Sequence, residues 1–215
     1  MWPPTYAHHH SSRCKSALRP LAPLAWTYEM RREMQEILPG LFLGPYNAAS
    51  RTQLDHLQQV GITHIVCVRR SDEASRIRPN FPHMFQYLEV ELSGAAEQGV
   101  LSHVAPVSAF LDEALCSGGR ALVHGNLGIS LSAALVVAYV MRRLSLSFGA
   151  ASSLVAERRY CVHLSPALVH QLHEYEPICR AEAAFLGGHC SGGRRRHKRS
   201  CDQLEDDNEP MDLTT

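Results

Sequence analysis

The stretch from Arg120 to Leu144 limits the fold more than any other part of the chain. Arg120-Ala121-Leu122-Val123 is a short apolar run suited to a buried strand. His124 to Ser130 follows as a turn with glycine at 125 and 128, and Leu131 to Leu144 then reads as a helix apolar nearly all round. A helix without a polar face must be covered on every side, which places it between a sheet and other helices. Its longest apolar run, Ala133 to Met141, is far shorter than the ~20 residues a membrane span needs. A strand end, a glycine turn and a helix N-terminus also gather backbone N–H groups, a geometry able to receive an anion. An ordinary strand-to-helix connection would show the same spacing.

The flanking segments complete an alternating α/β pattern. Ile37 to Gly44 contains two short apolar strands around Pro39-Gly40. Asn47 opens a helical stretch with Leu54, Leu57 and Val60 on one face, and Gly61 stands where a helix closes in a left-handed turn. Ile62 to Val68 is β-branched and reads as a buried strand, residues 69–84 as loop, and Phe85 to Leu92 as a less central strand because it alternates. Val100 to Cys116 carries a helical stripe closed by Gly118-Gly119. Helices are further expected over about Ser147 to Arg158 and from Pro166 to about Phe185. The fold class is α/β, a small mixed sheet with helices on both faces. Residues 1–25 read as a disordered arm, 26–186 as the domain, and 187–215 as a disordered tail, basic and then acidic.

Lys and Arg together number 21, as do Asp and Glu, so no uniform basic field favours nucleic acid or an anionic membrane. Seven scattered cysteines without a C-x-x-C pair form neither a disulfide framework nor a zinc ligand set, which points to a reducing compartment. No continuous apolar core of a signal peptide stands at the start. His170 and His173 are three apart but have no obvious third ligand, and neither a metal nor a cofactor is expected.

His124, Gly128 and Ser132 match the phosphate-loop signature H-C-x-x-G-x-x-R-[S/T], and on these residues the chain resembles the dual-specificity protein phosphatase family. The segments Trp26 to Tyr28, Met30 to Tyr46, His124 to Asn126, Glu157 to Arg159 and Val169 to Leu172 resemble, within it, the serine/threonine/tyrosine-interacting pseudophosphatases, in which Gly replaces the nucleophilic Cys. The resemblance runs from about Trp26 to Leu186, three quarters of the chain. It implies the dual-specificity phosphatase fold and a degenerate phosphate-binding loop made of His124, Gly125, Asn126, Leu127, Gly128, Ile129, Ser130, Leu131 and Ser132.

That resemblance also implies the loss of three chemical groups. Gly125 stands where a thiolate would attack phosphorus, and Leu131 where an arginine fork would hold two phosphate oxygens. Gly94 stands where the family has a general-acid Asp. The expected protein is therefore no enzyme, with at most weak, salt-sensitive anion affinity. It is expected to bind MAP kinases or other phosphorylation-pathway proteins, as an anchor or as a competitor of active phosphatases, and to block an F-box ubiquitin-ligase receptor. Two alternatives stay open at this point: residual phosphatase activity through another thiol, and a drifting duplicate.

The second occurrence of the signature, His189-Cys190-Ser191-Gly192-Gly193-Arg194-Arg195-Arg196, lacks a strand before it and a helix after it. Arg194, Arg195, Arg196, Lys198 and Arg199 form a candidate nuclear import signal, so cytoplasm and nucleus are the expected locations. Arg31-Arg32 with Ile37-Leu38 has the look of a basic-plus-apolar kinase-docking motif, although a solvated face leading into a strand explains it as simply.

Overall fold

A computed structural model of the chain describes residues 21–22, 24–92 and 99–188. Most of the expected arm, the position of Gly94, the His189 to Arg196 sequence and the cluster from Arg194 to Arg199 lie outside these residues.

Five strands form one mixed sheet: β1 (Gln35–Leu38), β2 (Leu41–Pro45), β3 (His64–Arg70), β4 (Gln86–Leu92) and β5 (Ala121–Gly125), in the order β1-β2-β5-β3-β4. β1 returns antiparallel to β2 through Gly40, whose φ of 83° needs a residue without a Cβ. The pairs β2–β5, β5–β3 and β3–β4 are parallel. Parallel strands covered on both faces read as continuous apolar runs. β5 is buried at every position, whereas the edge strand β4 alternates, as its sequence predicts.

The two faces are covered unequally. The helices α2 (Val100–Cys116), α3 (Leu131–Leu144), α4 (Phe148–Arg158) and α5 (Pro166–Gly188) pack on one side around Val66, Val68, Val123 and the buried residues of α3. The short α1 (Leu54–Val60) covers the other, where Phe42, Leu57, Ile62, Ile65, Phe85 and Leu122 form a smaller core. α3 is the expected all-buried helix: every residue from Ser132 to Met141 is buried. Near its far end Tyr139 donates to Asp112 at 2.9 Å, and Arg142 and Arg143 are ion-paired to the same carboxylate at 3.1 and 3.7 Å. Gly61 closes α1 at φ 80°, and Ser147 caps α4 by accepting from the Ala150 amide at 3.3 Å.

Two expectations shift. α5 continues to Gly188, past the expected domain edge at Leu186, because glycine in a last helical turn costs only about 1 kcal/mol when earlier turns are anchored. Part of the arm packs on the domain: Leu21 and Leu24 are half-buried, and the Ala22 carbonyl accepts from Arg158 at 2.6 Å. Cys67, Cys161 and Cys179 are free thiols. Among the described residues no single helix is long and apolar enough to cross a membrane.

Candidate functional site

The turn between β5 and α3 is held from outside at each successive carbonyl. The Asn126 carbonyl accepts from the Tyr46 amide at 3.2 Å, at the end of β2. Leu127 and Gly128 both accept from the Arg159 guanidinium, at 3.0 and 2.8 Å. Ile129 accepts from the His163 amide at 2.9 Å, and Ser130 from the Ala134 amide of α3 at 2.8 Å. The Asn126 side chain donates to buried Glu73 at 2.9 Å, and the other Glu73 oxygen takes the Arg70 amide at 3.1 Å. With the carbonyls so engaged, the amides of Leu127 to Leu131 have no acceptor among the described residues. They stand at the N-terminus of α3, where the partial positive charge of the helix favours an anion.

Glycine at 128 is required by geometry. Its φ is 66°, and a Cβ there would lie 2.2 Å from the Gly44 carbonyl oxygen and 2.8 Å from the Pro45 nitrogen. Gly125 differs. Its φ is ordinary, and the atoms nearest to a Cβ would be Ser132 Oγ at 3.0 Å, Ser132 Cβ at 3.3 Å and the Val68 carbonyl at 3.4 Å. A small side chain fits there if Ser132 gives by a few tenths of an ångström. Leu131 is half-buried against the main core and offers no donor. His124 is buried beneath the loop with its ring 5.7 Å from that of Tyr46, and its Nδ1 has no partner. Burial pushes its pKa down to about 4, against a smaller opposing contribution from the Gly125 backbone, so the ring is neutral near pH 7.

Arg159, just beyond α4, is wholly buried and organises the region. Besides Leu127 and Gly128 it donates to the carbonyls of Arg31 at 3.1 Å and Glu33 at 2.9 Å and to the Gln35 side chain. All five acceptors are neutral. One guanidinium therefore ties the loop to the segment leading into β1. Its neighbour Arg158 donates to the Glu36 carbonyl at 2.9 Å on the same strand.

Around this junction the surface opens into two adjoining hollows. One, of about 480 Å³, is lined by Tyr28, Arg31, Arg32, Pro45, Asn47, Asn126 and Leu127. The other, of about 510 Å³, is lined by Trp26, Tyr28, Arg31, Ile129, Tyr160 and Cys161. Of the large apolar side chains exposed among the described residues, Tyr28, Leu127 and Tyr160 gather here, with Met84 and Ile178 elsewhere. Arg31 lies over the Tyr28 ring, 6.0 Å from its centre. Neither Arg31 nor Arg32 is ion-paired with a described residue.

The structure thus brings His124 to Ser132 together as strand end, turn and helix start, and leaves Gly94 and the Arg194 to Arg199 cluster outside the described residues. Ile37 and Leu38 are buried, so the apolar half of the kinase-docking pattern is unavailable and the strand reading of that segment holds. His170 lies 3.4 Å from Glu174, and His173 packs edge-on against Phe148. Two features escaped the sequence: the buried role of Arg159, because basic residues ending a helix look solvated, and the cluster of Tyr28, Leu127 and Tyr160, because the three are distant in the chain. The buried thiols are unlike nucleophiles, since burial pushes Cys67 up to about 12 and Cys179 above the usual thiol range.

The pattern that defines the "Dual specificity phosphatase, catalytic domain" matches residues 41–178, and the chain belongs to that family. Over most of its length it is similar to proteins named serine/threonine/tyrosine-interacting protein. The Homo sapiens protein is 48% identical over 157 residues, 73% of this chain and 70% of that one, and form B of Xenopus laevis is 48% identical over the same shares. The crystal structure of the human tyrosine phosphatase-like serine/threonine/tyrosine-interacting protein superposes with a TM-score of 0.66 at 47% identity, covering 68% of this chain and 97% of that one. Human DUSP28 superposes with a TM-score of 0.61 at 31% identity, covering 68% and 95%.

Proposed function

We propose that the chain is a catalytically inactive phosphatase-fold protein, a pseudophosphatase, that acts by binding proteins of phosphorylation signalling. One observation carries the reading. Where the family signature requires a thiolate, Gly125 presents no side chain to the space beside Ser132 Oγ, so the attack on phosphorus has no nucleophile. Leu131 in place of the clamping Arg, and Gly94 in place of the acid, remove two further contributions, about 10²–10³ and about 10²–10⁴ in rate. These losses do not add, because such groups act as a unit. The His124 to Ser132 loop then serves as a shaped surface with a positive N-terminal helix end.

The partners we assign are MAP kinases or other phosphorylation-pathway proteins, held or shielded from active phosphatases, and an F-box ubiquitin-ligase receptor. Support for these classes is the likeness to the serine/threonine/tyrosine-interacting proteins together with the exposed mouth of Tyr28, Leu127 and Tyr160 beside Arg31 and Arg32. Clustered aromatic and arginine side chains are the usual anchors of protein interfaces. The cytoplasm and the nucleus are the assigned locations, with Arg194, Arg195, Arg196, Lys198 and Arg199 as the import signal.

The test has two arms. Purified chain is assayed on an aryl phosphate and on phosphopeptides, where no turnover above a Gly125→Ser control is expected. Capture of kinases and F-box receptors is compared between the wild type and Leu127→Asp or Tyr28→Ala chains, with loss of capture expected. Enzyme-like turnover, or capture indifferent to both mouth substitutions, overturns the reading.

A further inference from the structure

The mouth of the loop combines exposed apolar side chains with two arginines that no described carboxylate neutralises, a surface suited to an acidic segment carrying an occasional apolar residue. Such a segment exists in the same chain. Between Asp202 and Leu213 lie Asp202, Glu205, Asp206, Asp207, Glu209 and Asp212, interleaved with Leu204, Met211 and Leu213. All of it lies outside the described residues.

Chain length permits the contact. α5 starts beside the loop, since His163 bonds to Ile129 and Pro166 follows three residues later, and it runs alongside α3 so that Arg142 meets Glu182 at 3.4 Å near the far end. Its 23 residues cover roughly 34 Å at 1.5 Å each. From Gly188 the 14 steps to Asp202 span up to about 46–50 Å when extended, enough to return along the domain to Tyr28. The basic cluster from Arg194 to Arg199 falls within that return stretch, and the acids lie at the distance of the mouth.

We infer that the acidic stretch Asp202 to Leu213 occupies the Tyr28–Arg31–Arg32–Leu127 hollow of its own chain, as an internal ligand that partner proteins must displace. The carboxylates meet the Arg31 and Arg32 guanidinium groups, and Leu204, Met211 or Leu213 covers the apolar floor beside Leu127. The inference rests on the reading of the mouth as a binding surface and names its resident occupant. A tether of this length holds the tail at an effective concentration on the order of 1 mM, so an intrinsic Kd of about 0.1 mM leaves the mouth roughly nine-tenths covered.

Hydrogen–deuterium exchange of the full chain tests it, read at residues 26–34 and 126–131. The wild type is compared with a full chain in which the six tail acids become amides (Asp202→Asn, Glu205→Gln, Asp206→Asn, Asp207→Asn, Glu209→Gln, Asp212→Asn). Exchange at the mouth is expected to be roughly tenfold slower in the wild type, equally so at dilute and concentrated protein, and the difference is expected to vanish at about 1 M salt. A synthetic peptide of residues 201–215 should restore slow exchange to the six-amide chain. Arg31→Gln with Arg32→Gln should abolish it in the wild-type background.

Equal exchange in wild type and the six-amide chain overturns the inference. So does protection that grows with protein concentration, which would place the tail on a second copy, and so does protection indifferent to Arg31 and Arg32. Partner capture by the six-amide chain separates this inference from the reading it rests on. Capture is expected to rise several-fold when the tail is neutralised. Unaltered exchange with capture still sensitive to Leu127→Asp sinks the internal ligand alone, whereas capture insensitive to Leu127→Asp and Tyr28→Ala sinks the binding surface as well.

Discussion

Arg159 Nε donates to the carbonyl of Gly128 at 2.8 Å, from a guanidinium with no carboxylate partner among the described residues. A buried cation is normally paired with an anion, because desolvation of a lone charge is expensive. Here five neutral acceptors share the task, and burial, joined by the like charge of Arg31 and opposed by Cys161, pulls its pKa below the usual range.

Replacing Arg159 by Ala strands the carbonyls of Leu127, Gly128, Arg31 and Glu33. Unmet buried acceptors cost about 1–3 kcal/mol each before water enters, so a total loss of about 3–5 kcal/mol is expected. Arg159→Lys should recover only part of it, since an ammonium cannot span five acceptors with the geometry of the fork. Urea unfolding followed by circular dichroism gives both values, and a loss under about 1 kcal/mol for the alanine variant would refute the assignment.

The two loop glycines should respond oppositely to the same substitution. Gly128→Ala places a methyl group 2.2 Å from the Gly44 oxygen at a positive φ, and a loss of about 3 kcal/mol or more is expected. Gly125→Ala meets only the Ser132 side chain near 3.0 Å, and a change within about 1 kcal/mol is expected. Melting temperatures of the pair decide the point, and similar drops in both would contradict the geometry.

Stability should fall on acidification through His124. Its pKa is about 4 in the fold against 6.5 for the free side chain, so between these values the unfolded chain binds a proton that the native chain excludes. The contribution is complete above about pH 6.5 and is lost as pH drops toward about 4, for a total of about 3 kcal/mol. Denaturant titrations at about pH 7.5 and about pH 4.5 measure it. His124→Phe should flatten the slope in this window, and an unchanged slope would assign the acid sensitivity to other groups.

Gly125→Cys alone should leave aryl phosphate hydrolysis at the level of Gly125→Ser. The clamp and the acid would still be missing, at about 10²–10³ and about 10²–10⁴ in rate. Adding Leu131→Arg and Gly94→Asp is the smallest reconstruction expected to give measurable turnover. Clear activity in the single cysteine variant would count against the assignment of Leu131 and Gly94.

Alkylation of the native chain should spare Cys67. Burial holds its thiol near 12, which leaves almost no thiolate at neutral pH. Mass spectrometry after a short iodoacetamide pulse should find Cys67 modified only once denaturant is present, and rapid native labelling there would reopen the case for a second nucleophile.

Strands, helices and the loop were readable in the sequence because each rests on a local signal. Continuous apolar runs mark β3 and β5, Gly61 closes α1, and the unbroken apolar surface of α3 requires burial. Helix and strand ends moved by a few residues where pairing decided them, as at β5, which begins at Ala121 and runs through Gly125 because β2 matches it there. What escaped was long-range. Arg159 reaches residues 31–35 across some 125 positions of chain, and no local pattern distinguishes it from the solvated arginine that ends many helices. Glu73, a buried carboxylate holding Asn126, looked like one acid among the charges of a loop.

The carbonyls of Asn126 to Ser130, each claimed by a donor elsewhere in the domain, leave the turn's form independent of most of its own side chains. Exposed Leu127 can be exchanged without disturbing that scaffold, while Gly128 cannot. Recognition can therefore diversify at this rim over generations at small thermodynamic cost, as antibody loops do on a fixed frame.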